Sequence, residues 1–233
     1  MRFVLAMLAV LGLGSALPAN AQLVESNVPG RATPPATTDA ENLLLLDLST
    51  GGRVTIWLRP DVAPKMVERI KTLTRQKFYD GLLFHRVIDG FMAQTGDPKG
   101  DGTGGSPLPD VEAEFSYLPH VRGAVSAARQ GSPPGAPAEV RIAAENSANS
   151  QFFIVFTPRL SLDKQYTVFG RVLSGMEYVD SIPRGEPPAN PARIVRAYIA
   201  ADNPPPFTPQ AAAAPALPAG EKEVVLPGTA PAK

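Results

Sequence analysis

Proline limits what this chain can fold into. It fixes φ and donates no backbone hydrogen bond, so regular structure fails wherever it clusters. Proline makes up 26 of the 233 residues, against a usual level of about 5%, and it is unevenly spread. The stretch from Asn203 to Lys233 holds eight prolines and eight alanines in 31 residues. Such a composition buries too little apolar surface to offset chain entropy, so residues 203–233 are expected to be a disordered tail and spacer. Pro204-Pro205-Pro206 favours polyproline II locally. Residues 22–40 carry Pro29, Gly30, Pro34 and Pro35 and no hydrophobic period, which predicts a flexible linker. Residues 41–202 remain as one domain, without internal repeats.

The N-terminus has its own pattern. Met1-Arg2, an apolar run from Phe3 to Leu13 and Leu17-Pro18-Ala19-Asn20-Ala21 make a signal peptide over residues 1–21, cut at Ala21/Gln22. The alternative is a membrane anchor, but the run falls short of the roughly 20 residues a span needs. The mature protein is therefore expected in the periplasm or the medium, with no membrane contact after cleavage. Lys+Arg and Asp+Glu both number 22, so the chain has no general attraction for nucleic acid or anionic lipid. With no cysteine at all, it has no disulfide framework, thiol nucleophile or thiolate metal site.

Within the domain, Leu43–Leu46 and Leu48 form an apolar run of strand length. A turn at Ser49–Gly52 follows, then Val54, Ile56 and Leu58 alternating with Arg53, Thr55 and Trp57. That is a hairpin with a half-buried second strand. From Pro64 the period changes: Val67, Ile70 and Leu73 fall at helical spacing, and Pro64 suits a first helical turn. Strands are expected at Leu82–Phe84, Gln151–Phe156, Tyr166–Leu173 and Ile194–Ala200, with a second short helix over Gly175–Ile182. Many short strands with few helices favour a sandwich or barrel over a parallel α/β sheet.

Several motifs are decoys. Gly100-Asp101-Gly102-Thr103-Gly104-Gly105 matches G-x-G-x-x-G, but Asp97-Pro98 precedes it and Pro107 and Pro109 follow. No strand leads in and no helix opens, so a dinucleotide is excluded; these glycines serve tight backbone approach instead. His85 and His120, the two histidines, lie far apart in the chain, a poor metal site. His85 reads as a buried, hydrogen-bonded structural residue, and Asp97 as an acceptor for loop amides. Neither G-x-S-x-G nor a Ser/His/Asp set is evident. Neither a metal nor a cofactor is expected.

Two stretches carry the chemistry. One runs Phe84-His85-Arg86-Val87-Ile88-Asp89-Gly90-Phe91-Met92-Ala93-Gln94-Thr95-Gly96-Asp97, the other Asn146-Ser147-Ala148-Asn149-Ser150-Gln151-Phe152-Phe153-Ile154. With Gly102-Thr103-Gly104-Gly105 and Val168-Phe169-Gly170, they closely resemble the cyclophilin family of peptidyl-prolyl cis–trans isomerases over residues 42–200. The resemblance implies a mainly β fold: a closed eight-stranded antiparallel β-barrel capped by two α-helices, with the active site on its outer face. It implies proline-containing polypeptides as partners, and a monomer is expected.

Rotation of an X–Pro bond crosses a barrier of about 18–20 kcal/mol because amide resonance is lost. No bond breaks, so catalysis needs a donor for the twisted amide and an apolar socket for the ring. By the family's motif, Arg86 is the catalytic arginine and Gln94 the glutamine that positions it. Phe91, Met92, Phe153 and Leu162 match the proline pocket, Gln151 a groove residue, and Ala128 and Arg129 the pair that bonds the peptide backbone. Taken singly these residues are bland: Arg86 could be a surface arginine, and Phe91, Met92 and Phe153 core residues.

The sequence departs from the pattern in four places. Arg129 stands for asparagine and Tyr166 for histidine, each keeping a substrate contact. Ser161 replaces the tryptophan common in members that bind cyclosporin strongly, which predicts weak cyclosporin inhibition. Gln130–Glu145 is a sixteen-residue insertion, either overhanging the groove or inert. A catalytically weak proline-binding or chaperone module on the same fold is the competing reading.

Overall fold

A computed structural model describes residues 32–208 of the chain; the expected signal peptide, part of the linker and most of the tail lie outside the described residues. Eight strands and three helices follow in order: β1 (Leu43–Leu48), β2 (Arg53–Leu58), α1 (Pro64–Arg75), β3 (Arg86–Ile88), β4 (Met92–Thr95), β5 (Ala124–Ala127), α2 (Ala138–Glu145), β6 (Phe152–Val155), β7 (Val168–Ser174), α3 (Met176–Asp180) and β8 (Ile194–Ile199). The strands form one antiparallel sheet in the order β3-β4-β6-β5-β7-β2-β1-β8.

The expected hairpin forms as β1 and β2, with Leu46 opposite Val54. The helical period is realised in α1, where Met66, Val67, Ile70 and Leu73 are buried. Ala63, its N-cap residue, offers no side-chain acceptor. The Glu114 carboxylate takes over from outside, accepting from the amides of Lys65 (3.0 Å) and Met66 (2.9 Å).

The barrel is not closed. The sheet is open and curled, with β3 and β8 as its ends. The Leu82–Phe84 run does not become a strand; it meets the start of β8 through a single bridge, Leu83 to Arg193. Pro183, Pro187, Pro188 and Pro191 stand between α3 and β8. Lacking N–H groups, they stop this stretch from continuing a ladder. Three strands escaped the sequence reading altogether. β3, β4 and β5 are three or four residues long, and β5 is buried on both faces, so it shows no alternation. The insertion folds as well: its C-terminal half is α2, with Ala144 buried and Val140 and Ile142 exposed.

The interior of the curl is filled by Leu44, Leu46, Val54, Ile56, Leu58, Val125, Phe152, Ile154, Phe169 and Ile199, packed against α1. Met92, Ala124, Phe153, Val155 and Val168 form a second, separate cluster. The described part of the tail touches the domain through Arg53, which donates to the Pro205 carbonyl (3.2 Å) and lies 5.7 Å from the Phe207 ring centroid. No helix among the described residues is long and apolar enough to cross a membrane.

Phe152 is fully buried in the interior. Phe152→Ala should destabilise the domain by about 3–5 kcal/mol, read as a lower urea midpoint with unchanged m-value.

Candidate active site

The two clusters are separated by the pleat. Successive side chains of a strand point to opposite faces. On β6, Phe152 and Ile154 enter the interior while Phe153 and Val155 join the outer cluster. On β4, Ala93 packs inside and Met92 outside. Register then aligns the outer faces: Arg86 pairs with Gln94, Gln94 with Phe153, and Phe153 with Ser126. The next row holds Ile88, Met92 and Val155. Residues far apart in sequence become cross-strand neighbours.

All six apolar or aromatic site candidates fall in the outer cluster: Met92 and Phe153 buried, Phe91, Ala128, Leu162 and Tyr166 partly so. The Phe153 ring stands edge-on to Tyr166 at 5.8 Å and tilted to Phe91 at 6.4 Å. Together they make an apolar slot on the outside of the sheet, with aromatic walls.

Beside the slot runs a polar chain. Arg86 Nη1 donates to Gln94 Oε1 over a long 3.5 Å, and Gln94 Nε2 to Gln151 Oε1 at 2.8 Å. Gln151 Nε2 ends the chain on the carbonyls of Gly102 (3.0 Å) and Gly104 (2.7 Å). Both glutamines are thereby oriented from one end, and the guanidinium is held at the other. Arg86 Nε lies 2.6 Å from Glu186 Oε2, a partner the sequence reading missed. Nothing in its own neighbourhood of chain marks Glu186; only its placement beside β3 does.

Gln94 and Gln151 also line a groove of about 520 Å³, with Gly102–Gly105, Ala128, Arg129, Gln130 and Asn149 among its walls. The Ala128 amide is committed to the Gln151 carbonyl at 2.9 Å. Arg129 lies beyond the end of β5, outside the sheet ladder. Its guanidinium folds over the Tyr166 ring at 4.5 Å and donates to the Gln165 carbonyl at 3.1 Å. The two substituted positions, Arg129 and Tyr166, therefore meet each other. Ser161 is exposed in the Leu160–Leu162 turn.

The glycine loop behaves as a brace. Asp97 accepts from the amides of Lys99 (2.7 Å), Asp101 (3.1 Å) and Gly102 (2.6 Å). Burial pushes the Asp97 carboxyl up, but the amides of Lys99 and Gly102 outweigh it and hold it below the ordinary range. A Cβ on Gly104 would sit 2.0 Å from Asp97 Oδ1, so only glycine fits there. Asn149 ties the loop to the second motif: its Oδ1 accepts from the Ser106 amide at 2.8 Å and its Nδ2 donates to the Leu108 carbonyl at 2.9 Å.

Two expectations about histidine change. His85 is buried, but neither ring nitrogen has a hydrogen-bond partner; the neighbouring Asp97 carboxylate is spent on the loop amides. A Ser/His/Asp array does exist. His120 Nδ1 lies 2.8 Å from Asp163 Oδ1 and Nε2 lies 3.1 Å from Ser126 Oγ. Three separate segments supply it, so no motif announces it. Ser126 is fully buried and its hydroxyl donates to the Thr167 carbonyl at 2.9 Å, which leaves it no access to a substrate. The array is a floor for the slot: the His120 ring stacks on Phe153 at 6.3 Å.

Burial lowers the pKa of both His85 and His120, the latter against the opposing pull of Asp163. The unfolded chain therefore takes up protons below pH about 6.5 that the folded chain refuses. Stability is full above that pH and falls as pH decreases toward the folded values. Urea midpoints measured at intervals from pH about 8 to about 5 should be level at first and then decline, and His120→Gln should flatten the decline.

Known proteins resemble this chain over most of its domain. The family model described as "Cyclophilin type peptidyl-prolyl cis-trans isomerase/CLD" matches residues 45–199. The chain is 47% identical over 183 residues to a "Probable peptidyl-prolyl cis-trans isomerase" of Brucella suis, covering 72% of this chain and 87% of that one. It is 39% identical over 141 residues to peptidyl-prolyl cis-trans isomerase B of Bacillus subtilis, covering 60% and 89%. Among solved structures, the cyclophilin AquaCyp293 of Hirschia baltica superposes with a TM-score of 0.62 at 28% identity, over 72% of this chain and 77% of that one. A Cryptosporidium parvum cyclophilin-type isomerase, solved in the presence of the dipeptide Ala-Pro, gives 0.58 at 25% identity, over 67% and 98%. The chain thus belongs to the cyclophilin-type peptidyl-prolyl cis–trans isomerases.

Proposed function

We propose that this isomerase accelerates X–Pro rotation in proteins folding outside the cytoplasm, with the Arg86 guanidinium as the catalytic donor. The observation that carries the reading is the cross-strand row Arg86–Gln94–Phe153. It sets a permanent cation at the lip of the apolar slot. A prolyl ring seated among Phe91, Met92, Phe153 and Leu162 is desolvated and held. As the amide twists, its lone pair relocalises on nitrogen. A fixed N–H donor there stabilises the twisted state more than either planar one, which lowers the barrier. Arginine suits the task because it stays charged and presents a rigid fork. Gln94 restrains that fork, and the flanking peptide lies along the groove by Gln151, Ala128 and Arg129. Tyr166 closes the far wall. The Ala-Pro dipeptide used with the Cryptosporidium relative supports a proline peptide as the ligand class here.

The insertion borders this groove. Its neck is drawn together by the Gln130 amide donating to Ser147 Oγ at 2.8 Å, and both residues line the groove wall. It adjusts which residues before proline are accepted. Export is supported by the Met1–Ala21 pattern.

Arg86→Ala should lose about 10²-fold in kcat/KM on a short X–Pro peptide in an NMR exchange assay, with an unchanged circular dichroism spectrum. Full activity in that variant would exclude the donor role. N-terminal sequencing of the protein recovered outside the cytoplasm should begin at Gln22. With Ser161 in place of tryptophan, cyclosporin at nanomolar dose should leave activity intact.

A further inference from the structure

We infer that Glu186 is a positioning residue for this reaction, holding the Arg86 guanidinium in the plane that presents its Nη edge to the prolyl amide. The inference rests on the donor role proposed for Arg86. A guanidinium on a flexible side chain is a poor fixed donor unless something removes its rotation. One hydrogen bond leaves the plane free to turn about it; two bonds at different nitrogens do not. Arg86 has two such holds: Nε on Glu186 Oε2 at 2.6 Å and Nη1 on Gln94 Oε1 at 3.5 Å. The Glu186 contact is the shorter and the charged one, hence the stronger. It leaves Nη2 and one Nη1 hydrogen for the substrate.

The placement of Glu186 is built into the backbone. Val87, next to Arg86, exchanges two hydrogen bonds with Gly185, each 2.8 Å. Gly185 has φ 148, and a Cβ there would come within 2.5 Å of Pro188 Cα, so the chain can pass only as glycine. Pro187 and Pro188 then restrict φ directly after Glu186. The carboxylate is carried on a stiff loop pinned to the strand of the arginine it touches.

Two opposite effects could follow from the pair. The carboxylate fixes the guanidinium, and it also offsets part of its charge. The side chains are 43% and 51% exposed, so solvent screens the second effect. Screening weakens the Nε–H to Oε2 bond without turning it, so the first effect keeps its direction. The same exposure means the pair adds little to folding stability, so substitutions at Glu186 leave the domain folded.

The test is a set of variants assayed by NMR exchange for kcat and KM separately. Glu186→Ala should lower kcat about fivefold, the scale of one exposed ion pair, with KM within about twofold. Glu186→Gln keeps a carbonyl acceptor for Nε and should recover at least half of the wild-type kcat. Adding Glu186→Ala to Arg86→Ala should cost nothing more, because the partner it acts through is gone. The Arg86 Nε–H resonance should exchange with water faster in Glu186→Ala than in wild type. Wild-type kcat in Glu186→Ala would overturn the inference. So would a loss confined to KM, a Glu186→Gln no better than Glu186→Ala, or a further loss in the double variant. If Arg86→Ala is inactive while Glu186→Ala is unaffected, only this inference falls. If Arg86→Ala is fully active, the donor role falls with it.

Discussion

The two-faced burial of β6 is the constraint on which the rest depends. Its four residues, Phe152–Val155, are all buried, yet they serve different clusters. Phe152 and Ile154 fill the curl, and Phe153 and Val155 found the outer slot. A slip of one residue in register would exchange the two sets. It would put Ile154 on the outer face and Phe153 into the interior. The core and the outer slot are therefore specified by one pairing, and the main core holds the Arg86–Gln94–Phe153 row in register. The outside of this well-packed sheet presents rigid, aligned side chains.

On this row lies a polar chain in which Arg86 donates both ways, to Glu186 and toward the glycine loop. It starts at Glu186, crosses Arg86, Gln94 and Gln151, and ends on the carbonyls of Gly102 and Gly104. Each donor meets an acceptor, so both amides are oriented and the guanidinium is held from two sides. The glycine loop at the far end is itself fixed by Asp97 and Asn149. What resembles a nucleotide fingerprint in the sequence is thus an anchor for glutamine. Below the slot, the His120–Asp163–Ser126 array has the arrangement of a hydrolytic triad without its accessibility. Burial of His120 and Ser126 turns the set into a support for the Phe153 ring.

Legibility in the sequence followed physical size. Long or strongly periodic elements, the β1–β2 hairpin and α1, could be read directly because half of each faces solvent or another chain layer. Strands β3, β4 and β5 could not: each has three or four residues and, unlike the equally short β6, none is an unbroken run of bulky apolar side chains. The site was visible through spaced motifs containing Arg86, Gln94, Gln151 and Phe153, with the slot residues beside them. That Glu186 meets Arg86 and His120 meets Phe153 was invisible. Each is brought in by a loop from a distant segment, and nothing local distinguishes it from a surface acid or a core histidine.

The amino-acid sequence by itself determined the family and named the candidate site residues, because both are written in residue identity and spacing. Tertiary structure alone decided that the sheet stays open, that Glu186 grips Arg86, and that a Ser/His/Asp set becomes a floor and not a nucleophile. Those outcomes depend on which segments meet across the sheet and on what burial leaves accessible. Both are properties of the packed chain, not of any stretch within it.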